Sequence, residues 1–281
     1  MGYILMVKLA LVIGQGEVGN PLYEMLADAF GPDEVFCRDI KEPDWHHHFK
    51  YLHICYPQTV SWGASIINYL RMYKPEAVII HSTLHPGSIE QLNQDLEQIF
   101  YYSPVRGNIR DGMRWCLENY CKYIAGPDEM LKFEPAEILS QRTEGLLIRK
   151  KVSKHLEDAG FTLKWVYSPT SLEYAKILDL CWYGLNIAFY QELERICDSK
   201  SLEYGPIKDF IESTPRESGG KAERVLFYGG FIGGHCVIPA FEKLLAAHDV
   251  PMIRAALESN IKRELESLQG RVPGRGRVTL N

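Results

Sequence analysis

Two stretches of the sequence combine residue types and spacings that suit chemistry, and the first surrounds a cysteine. The segment FIGGHCVIPA, residues 231–240, places Cys236 beside His235 and after two glycines. Glycines next to a thiol let the backbone bend tightly or let another group approach closely. No other cysteine lies within four residues, so the spacings of zinc sites are absent here. Cys236 is therefore a candidate nucleophile, with a buried packing residue as the alternative; His235 is either structural or a cation that assists a thiolate.

The second stretch, VIGQGEVGNPL, contains Gly14, Gly16 and Gly19 in the spacing G-x-G-x-x-G. In dinucleotide-binding folds the first glycine makes the turn, the second admits the pyrophosphate and the third packs helix on strand. Asp39 follows Gly19 by 20 residues, where a carboxylate binds the ribose 2′-hydroxyl. This spacing predicts NAD rather than NADP, although the neighbouring Arg38 weakens the preference. A strand–helix turn without a ligand is the alternative.

Short apolar runs alternate with amphipathic stretches over the first half of the chain. The predicted strands are VKLALVI, DEVFCRDI, YLHICYP, EAVIIHS, IFYYSP, CKYIAG and FTLKWVYS. Alternation of this kind predicts an α/β fold, a Rossmann-type doubly wound parallel sheet with crossover helices. We expect this NAD-binding domain to span residues 1–167.

From Pro169 the pattern changes to a long stretch of helical spacing with no internal proline. It predicts a spine helix of about 28 residues, with Thr170 or Ser171 as its N-cap. Shorter helices follow, so we expect an α-helical domain for dimerisation and catalysis over residues 168–270. Residues 271–281 are rich in glycine and arginine and read as a flexible tail.

Composition and charge narrow the classes of function. The net charge of −5 argues against a general nucleic-acid binder, and no apolar run is long enough to predict a membrane span. The seven cysteines are odd in number and several lie within apolar runs, which favours free thiols in the cytoplasm over a disulfide framework. His46, His47 and His48 are consecutive, so their side chains diverge and predict no metal site.

Taken in order, six segments resemble the UDP-glucose/GDP-mannose dehydrogenase family. They are VIGQGEVGNPL, HICYP, IIHSTLHPGSIEQL, YYSPVRG, AKILDLCWYGLNIAFYQELERIC and GGFIGGHCVIP. HSTLHPGS is similar to the family's S-T-x-P-P-G-T segment, and GGHC is similar to its nucleophile loop. The likeness extends over residues 7–245.

The resemblance implies an activity and a set of site residues. These enzymes oxidise the C6 alcohol of a nucleotide sugar to a carboxylate with two NAD⁺, through a thiohemiacetal and a thioester on the cysteine. It implies catalytic roles for Cys236, Lys176 and Thr83. It also implies cofactor contacts from the loop and the following strand ends: Gly14, Gln15, Gly16, Glu17, Val18, Gly19, Asp39, Tyr56, Pro57 and Ser82. For Lys176, a solvated helix residue paired with Glu173 or Asp179 is the alternative.

Three positions depart from the family's pattern. Leu180, Ala240 and Val105 stand where the family has an asparagine, an aspartate and a glutamate. The sequence also shows no counterpart of the family's further domain, which holds the nucleotide of the sugar. The expected function is thus an NAD-dependent oxidoreductase that acts on an alcohol or aldehyde, sugar or sugar-nucleotide-like, as a homodimer.

Two other functions stay open. A β-hydroxyacid dehydrogenase would share the nucleotide fold, the long helix and its lysine, but would not need Cys236. A catalytically silent NAD-binding protein, with the long helix as a docking or dimerisation surface, would explain the three lost polar residues.

Overall fold

The structure is a computed structural model that describes residues 6–39, 45–107, 112–127, 139–222 and 227–270, without the side chains of 139–144. The predicted tail, 271–281, lies outside the described residues. The strands are β1 (Val7–Ile13), β2 (Val35–Arg38), β3 (His48–Ile54), β4 (Ala77–Ile80), β5 (Phe100–Tyr102), β6 (Lys122–Ile124) and β7 (Leu163–Trp165). The helices are α1 (Gly19–Phe30), α2 (Trp62–Tyr73), α3 (Ser88–Asp95), α4 (Met113–Asn119), α5 (Leu139–Asp158), α6 (Pro169–Lys200), α7 (Tyr204–Glu217), α8 (Val237–Ala247) and α9 (Pro251–Leu268).

The first five strands form one parallel sheet in the order β2-β1-β3-β4-β5. The chain moves outward from β1 to β2 and then returns to the other side of β1 as β3. This reversal leaves a crevice at the carboxyl ends of β1 and β3, which is where ligands bind in doubly wound sheets. The predicted Rossmann-type fold is confirmed.

Each predicted strand is present, but the last two do not extend the main sheet. β6 and β7 pair with each other in a separate parallel ribbon, which an isolated bridge from Tyr102 to Ala125 links to β5. β3 also begins three residues before the predicted run, at His48. These differences arise because strand pairing depends on tertiary contacts that an apolar run does not encode.

Apolar side chains cover both faces of the main sheet, as expected for parallel strands. One face packs Leu11, Leu52 and Ile80 against α2 and α3. The other face packs Val12 and Ile79 against α1 and α5. Because side chains alternate along a strand, His53 lies on this second face, between Tyr51 and Cys55.

Helix α6 is the predicted spine helix, and it covers 32 residues. Its predicted N-cap was wrong: the helix begins at Pro169, and the Ser168 hydroxyl accepts a hydrogen bond from the Ser171 amide at 3.1 Å. Pro169 suits the first helical position because its fixed φ matches the helix. The chain forms two compact units that meet inside α6, between Lys176 and Ile177.

Helices α6 to α9 account for most of the second unit, and their buried faces include Cys181, Ala240, Phe241 and Ile253. Gly184 on α6 has no space for a side chain, because a Cβ atom there would meet Phe241 and Val237 at 2.5 Å. None of the helices within the described ranges is both long and apolar enough to span a membrane.

Candidate functional site

The glycine loop between β1 and α1 combines two glycines that the fold needs with one that it does not. Gly14 has a φ of 99°, and a side chain there would press on the backbone of Cys55 and Tyr56. A Cβ atom on Gly19 would collide with the carbonyl oxygen of Gly14. At Gly16, in contrast, no described atom lies within 4 Å of an added Cβ. Gly14 and Gly19 thus shape the turn, whereas Gly16 leaves open space above it.

Hydrogen bonds fix this loop to the ends of its neighbouring strands. The Gly14 amide donates to the Arg38 carbonyl at 2.9 Å, and the Cys55 amide donates to the Ile13 carbonyl at 2.8 Å. Asn20 closes the loop through its side-chain amide, which donates to the Gln15 carbonyl at 2.9 Å. The backbone path from β1 into α1 is therefore rigidly defined.

The start of α1 is suited to an anion. Val18 occupies the N-cap position without a capping side chain, and the first turn contains no acidic residue. The positive end of the helix dipole therefore lies at the glycine loop, where the Asn20 amide donates to the Gly16 carbonyl at 3.2 Å. A pyrophosphate is the kind of group that this arrangement binds. Gln15, Glu17 and Val18 lie in the same loop, half-buried or exposed.

At the end of β2, an acidic residue is exposed and the basic residue before it is buried. Asp39 is exposed directly after the strand. Arg38 is buried, with its Nη1 donating to the Tyr73 hydroxyl at 3.1 Å and its guanidinium 5.6 Å from the centre of the Tyr69 ring. Because its guanidinium is engaged on α2, Arg38 is poorly placed to bind a ribose 2′-phosphate. The geometry at this edge matches a carboxylate for ribose hydroxyls.

The ends of β3 and β4 supply the remaining predicted cofactor residues. The Ser82 hydroxyl donates to the Tyr56 carbonyl at 2.6 Å, so these two segments are joined beside the glycine loop. Tyr56 is buried against Tyr69, whereas Pro57 is exposed and Thr83 is half-buried. The structure thus brings Gly14, Tyr56 and Ser82 together at one edge of the sheet.

A buried carboxylate on α6 holds the segment that carries Thr83. Glu173 is completely buried, and its two oxygens accept from the amides of Gly87 at 2.5 Å and Ile89 at 2.9 Å. Burial raises the pKa of Glu173 to about 7, although these hydrogen bonds act in the opposite direction. Glu173 therefore fixes the first turn of α3 and the loop that precedes it. Lys176 lies one turn further along α6 and is half-buried.

In the second unit, Cys236 stands at the start of α8. It is the N-cap residue of that helix. It is also exposed, whereas the other six cysteines are buried or half-buried. A helix N-terminus favours the thiolate form of a cysteine. Its exposure argues against a buried packing residue, and a nucleophilic role for Cys236 stays a prediction.

A buried polar network holds the glycine segment before Cys236. Asn260 accepts from the Ile232 amide at 2.7 Å and donates to the Ile232 carbonyl at 3.1 Å. Gln191 donates to the Gly230 carbonyl at 2.7 Å and to the Asn260 side chain at 3.1 Å. Gly229 must be glycine, because a Cβ atom there would lie 2.7 Å from the backbone of Tyr190. The segment is thus tied to both α6 and α9.

Gln191 and Asn260 support this segment and were not predicted from the sequence. Each is a polar residue on the apolar face of a helix, a pattern that indicates a buried polar contact but does not identify its partner. The positions that depart from the family's pattern are apolar for a structural reason in two cases, since Ala240 and Val105 are both buried in the core.

The chain is similar to known proteins in structure but matches none of them by sequence. No family profile and no curated protein matches the chain. Among solved structures, it is similar to a UDP-D-ManNAc dehydrogenase from Pyrococcus horikoshii, with a TM-score of 0.70 and 16% identity over 93% of this chain and 70% of that one. It is also similar to the 3-hydroxyisobutyrate dehydrogenase of Mycobacterium tuberculosis, with a TM-score of 0.61 and 12% identity over 93% of this chain and 94% of that one. A third similar structure is a UDP-glucose dehydrogenase from Pyrobaculum islandicum, with a TM-score of 0.62 and 13% identity over 96% of this chain and 73% of that one. The chain has the fold of these dehydrogenases.

Proposed function

We propose that this protein is an oxidoreductase that binds NAD(H) at the glycine loop and acts on an alcohol or aldehyde. The observation that carries the proposal is Gly16. The fold requires glycine at Gly14 and Gly19 but leaves open space at Gly16, beside an uncapped helix start. Within the G-x-G-x-x-G spacing, a glycine that packing does not require is explained by a pyrophosphate that approaches its backbone.

The residues present fit a dinucleotide. The amides at the start of α1 would bind the pyrophosphate, and the exposed Asp39 would accept hydrogen bonds from ribose hydroxyls. NAD fits better than NADP, because Arg38 is engaged with Tyr73 and Asp39 would repel a 2′-phosphate. Tyr56, Pro57 and Ser82 would border the cofactor on the β3 side. When bound, the nicotinamide would supply the hydride acceptor.

Cys236 and Lys176 are the proposed catalytic residues. In an aldehyde step, the Cys236 thiolate would form a bond to the carbonyl carbon while the carbonyl π electrons move to oxygen. The Lys176 ammonium would stabilise that oxyanion, and Thr83 would contact the substrate. The similarity to UDP-sugar dehydrogenases favours a sugar or sugar-nucleotide-like substrate.

One comparison favours a second candidate function. The similarity to 3-hydroxyisobutyrate dehydrogenase covers 94% of that chain. A β-hydroxyacid dehydrogenase would use the lysine of α6 and would not need Cys236. Full activity of Cys236→Ser on a hydroxyacid would support this second candidate, and loss of activity would support the first.

The long helix suggests a homodimer. Leu178, Trp182, Phe189 and Ile196 are exposed on α6, and their spacings of four and seven residues place them along one stripe. A stripe of large exposed apolar side chains suits a second copy of the chain. We therefore propose that α6 contributes the dimer interface.

The decisive experiment compares two open glycines. Gly16→Val places a branched side chain where the pyrophosphate would lie, and we expect calorimetry to show no NADH binding. Gly63→Val is the matched control, because Gly63 on α2 also has no atom within 4 Å of an added Cβ. Both variants should fold, and the control should bind like the wild type. Equal NADH affinity in wild type and Gly16→Val would contradict the proposed cofactor site.

A further inference from the structure

Three histidines and a lysine lie together in the core of the nucleotide-binding unit, apart from the candidate site. His53 comes from β3, His81 follows β4, His155 comes from α5 and Lys122 comes from β6. Each of the four residues is at most 5% exposed. Charged or titratable residues are rarely buried without a structural or functional reason.

The four side chains form one continuous row of contacts. Lys122 Nζ lies 3.2 Å from His81 Nδ1, and His81 Nε2 lies 3.0 Å from His53 Nδ1. His53 Nε2 then lies 3.0 Å from His155 Nε2. The nitrogens thus touch in sequence and do not converge on a common point, which suits proton transfer and not metal binding.

One end of the row is held by a carbonyl and the other end is not paired. The Ser103 carbonyl contacts both Lys122 Nζ and His81 Nδ1 at 3.0 Å. His155 Nδ1 is buried and has no hydrogen-bond partner within the part of the chain that the structure describes. The rings of Phe30 and Tyr51 stack on His155, at centroid distances of 5.2 and 4.2 Å.

Among the titratable groups in and around the row, Lys122 is the one that can gain or lose a proton near neutral pH. Burial lowers the pKa of all three histidines below the usual range and that of Lys122 to about 7. Tyr51 on β3 and Cys55, which directly follows β3, lie next to the row, and burial raises the pKa of each to about 12. On α5, the exposed Asp158 raises the pKa of His155 only partly against burial, and it also pairs with Lys154.

A charged Lys122 fixes the direction of every hydrogen bond in the row. An ammonium can only donate, so a hydrogen bond from Lys122 Nζ to His81 Nδ1 makes that nitrogen the acceptor, in place of its own donation to the Ser103 carbonyl. A neutral His81 then carries its proton on Nε2 and donates to His53 Nδ1. His53 likewise donates from Nε2 to His155 Nε2, which leaves the His155 proton on the unpaired Nδ1.

A neutral Lys122 permits the opposite direction. His81 Nδ1 can then carry the proton and donate to the Ser103 carbonyl. Its Nε2 accepts from His53 Nδ1, and His53 Nε2 accepts from His155 Nε2. In this arrangement every N–H of the three rings has an acceptor, and only a lone pair of His155 Nδ1 is unpaired. An unpaired acceptor costs less than an unpaired donor, so loss of the lysine proton favours this direction.

We propose that these four residues form a one-proton switch, in which His81, His53 and His155 exchange tautomers together when Lys122 gains or loses its proton. The protons balance in one pass along the row. Lys122 gives a proton to His81 Nδ1, His81 gives one from Nε2 to His53 Nδ1, and His53 gives one from Nε2 to His155 Nε2. His155 gives up its Nδ1 proton, so the row as a whole loses one proton and all three rings remain neutral; because Nδ1 is buried, this loss requires a transient opening of the packing around His155.

The position of the switch connects it to the candidate site. His81 directly precedes Ser82, and the Cβ of Cys55 lies 3.3 Å from a Cβ atom added to Gly19. Lys122 interacts electrostatically with Cys55, so a proton on Lys122 adds positive charge near the residue that packs on the glycine loop, and it and an anionic dinucleotide favour each other. This connection rests on the proposed function, whereas the switch itself does not.

The test is a titration of the full chain labelled with ¹⁵N-histidine, followed through the ring-nitrogen shifts by NMR between about pH 5.5 and 9. We expect three neutral histidines whose protonated and bare nitrogens exchange places with one shared midpoint. That midpoint should coincide with the midpoint of Lys122, read from its own ¹⁵Nζ signal in lysine-labelled protein. Separate midpoints, a charged imidazolium in the row, or fixed tautomers while Lys122 titrates would each overturn the switch.

Two variants and one ligand separate the possible causes. Lys122→Met should fix the tautomers over the whole range, and Lys164→Met, on the exposed side of β7, should leave the exchange unchanged. If Lys122→Met does not fold, the lysine signal of the wild type still decides the result. Saturating NADH should raise the shared midpoint; if NADH does not bind at all, the proposed cofactor is wrong while the titration without ligand still tests the switch.

Discussion

At the scale of single residues, the glycines and the cysteine behave differently as sequence signals. The spacing of Gly14, Gly16 and Gly19 could be read from the sequence because it is local: Gly14 and Gly19 meet steric demands of the turn, and Gly16 stands between them. The exposure of Cys236 could not, because it depends on where α8 begins. From the sequence, Cys236 is either a nucleophile or a buried packing residue. Its exposure argues against the second, and its reactivity decides the first.

Reactivity of Cys236 tests this interpretation directly. We expect limiting iodoacetamide at about pH 7 to label Cys236 before the other six thiols, because it is the exposed one and a helix start favours its thiolate. If the Lys176 ammonium also stabilises that thiolate, Lys176→Ala should slow the labelling several-fold. Lys200→Ala, at the exposed end of α6, is the matched control.

Mass mapping of the labelled peptides gives the measurement. Uniform slow labelling would leave Cys236 as an ordinary surface thiol and favour the silent NAD-binding alternative. Selective labelling of Cys236 that is equally fast in wild type and Lys176→Ala would support the nucleophile and contradict the proposed role of Lys176.

At the scale of elements, the strands and helices were predictable and their partners were not. Apolar runs such as VKLALVI and EAVIIHS became β1 and β4 because buried parallel strands read as continuous apolar sequence. The separate pairing of β6 with β7 was not predicted, since a three-residue strand carries no register information. His53 and His81 are recognisable in the sequence as polar residues inside apolar runs. That they contact each other, and that His53 contacts His155 on α5, could be seen only in the structure.

The support of the glycine segment is an element-scale feature that can be tested by stability. Asn260→Ala should leave the Ile232 amide and carbonyl without their partners, at a cost of about 2–4 kcal/mol in the free energy of unfolding. Asn186→Ala is the control, because that side chain bonds a carbonyl of its own helix near the surface. Urea unfolding measures both variants.

We also expect Asn260→Ala to expose residues 229–235 to limited proteolysis. Equal stability and equal protection in the two asparagine variants would contradict a positioning role for Asn260.

At the scale of the whole molecule, buried titratable groups give the stability an unusual dependence on pH. Lys122 has a folded-state pKa of about 7, below its unfolded value, so the unfolded chain binds more protons between about pH 7 and 10. The Lys122 contribution should therefore raise stability by at most about 1.4 kcal/mol from about pH 7.5 to 8.5. At higher pH the Cys55 thiol, whose pKa is raised to about 12, acts in the opposite direction. The three histidines, whose pKa values are also lowered, should reduce stability below about pH 6.5.

Glu173 works against the histidines in the acid range. Its folded-state pKa is raised to about 7, so its contribution to stability falls as the pH rises towards that value. Urea unfolding at several pH values measures the sum, and the alkaline rise should vanish in Lys122→Met but persist in Lys164→Met. A wild-type stability that is flat or falling between about pH 7.5 and 8.5 would show that Lys122 keeps its ordinary pKa.

The exposed stripe on α6 makes the last prediction, which concerns assembly. Burying four large apolar side chains would give about 1.5–3 kcal/mol for each one that becomes fully covered, which favours association of two copies. Phe189→Glu would place a charge in the centre of that stripe, so we expect light scattering at tens of micromolar to change from a dimeric to a monomeric mass. Phe210→Glu, on α7 and outside the stripe, removes a similarly exposed ring and should leave the dimer intact. A monomeric wild type would refute the interface, and a dimer that survives Phe189→Glu would place it on another surface.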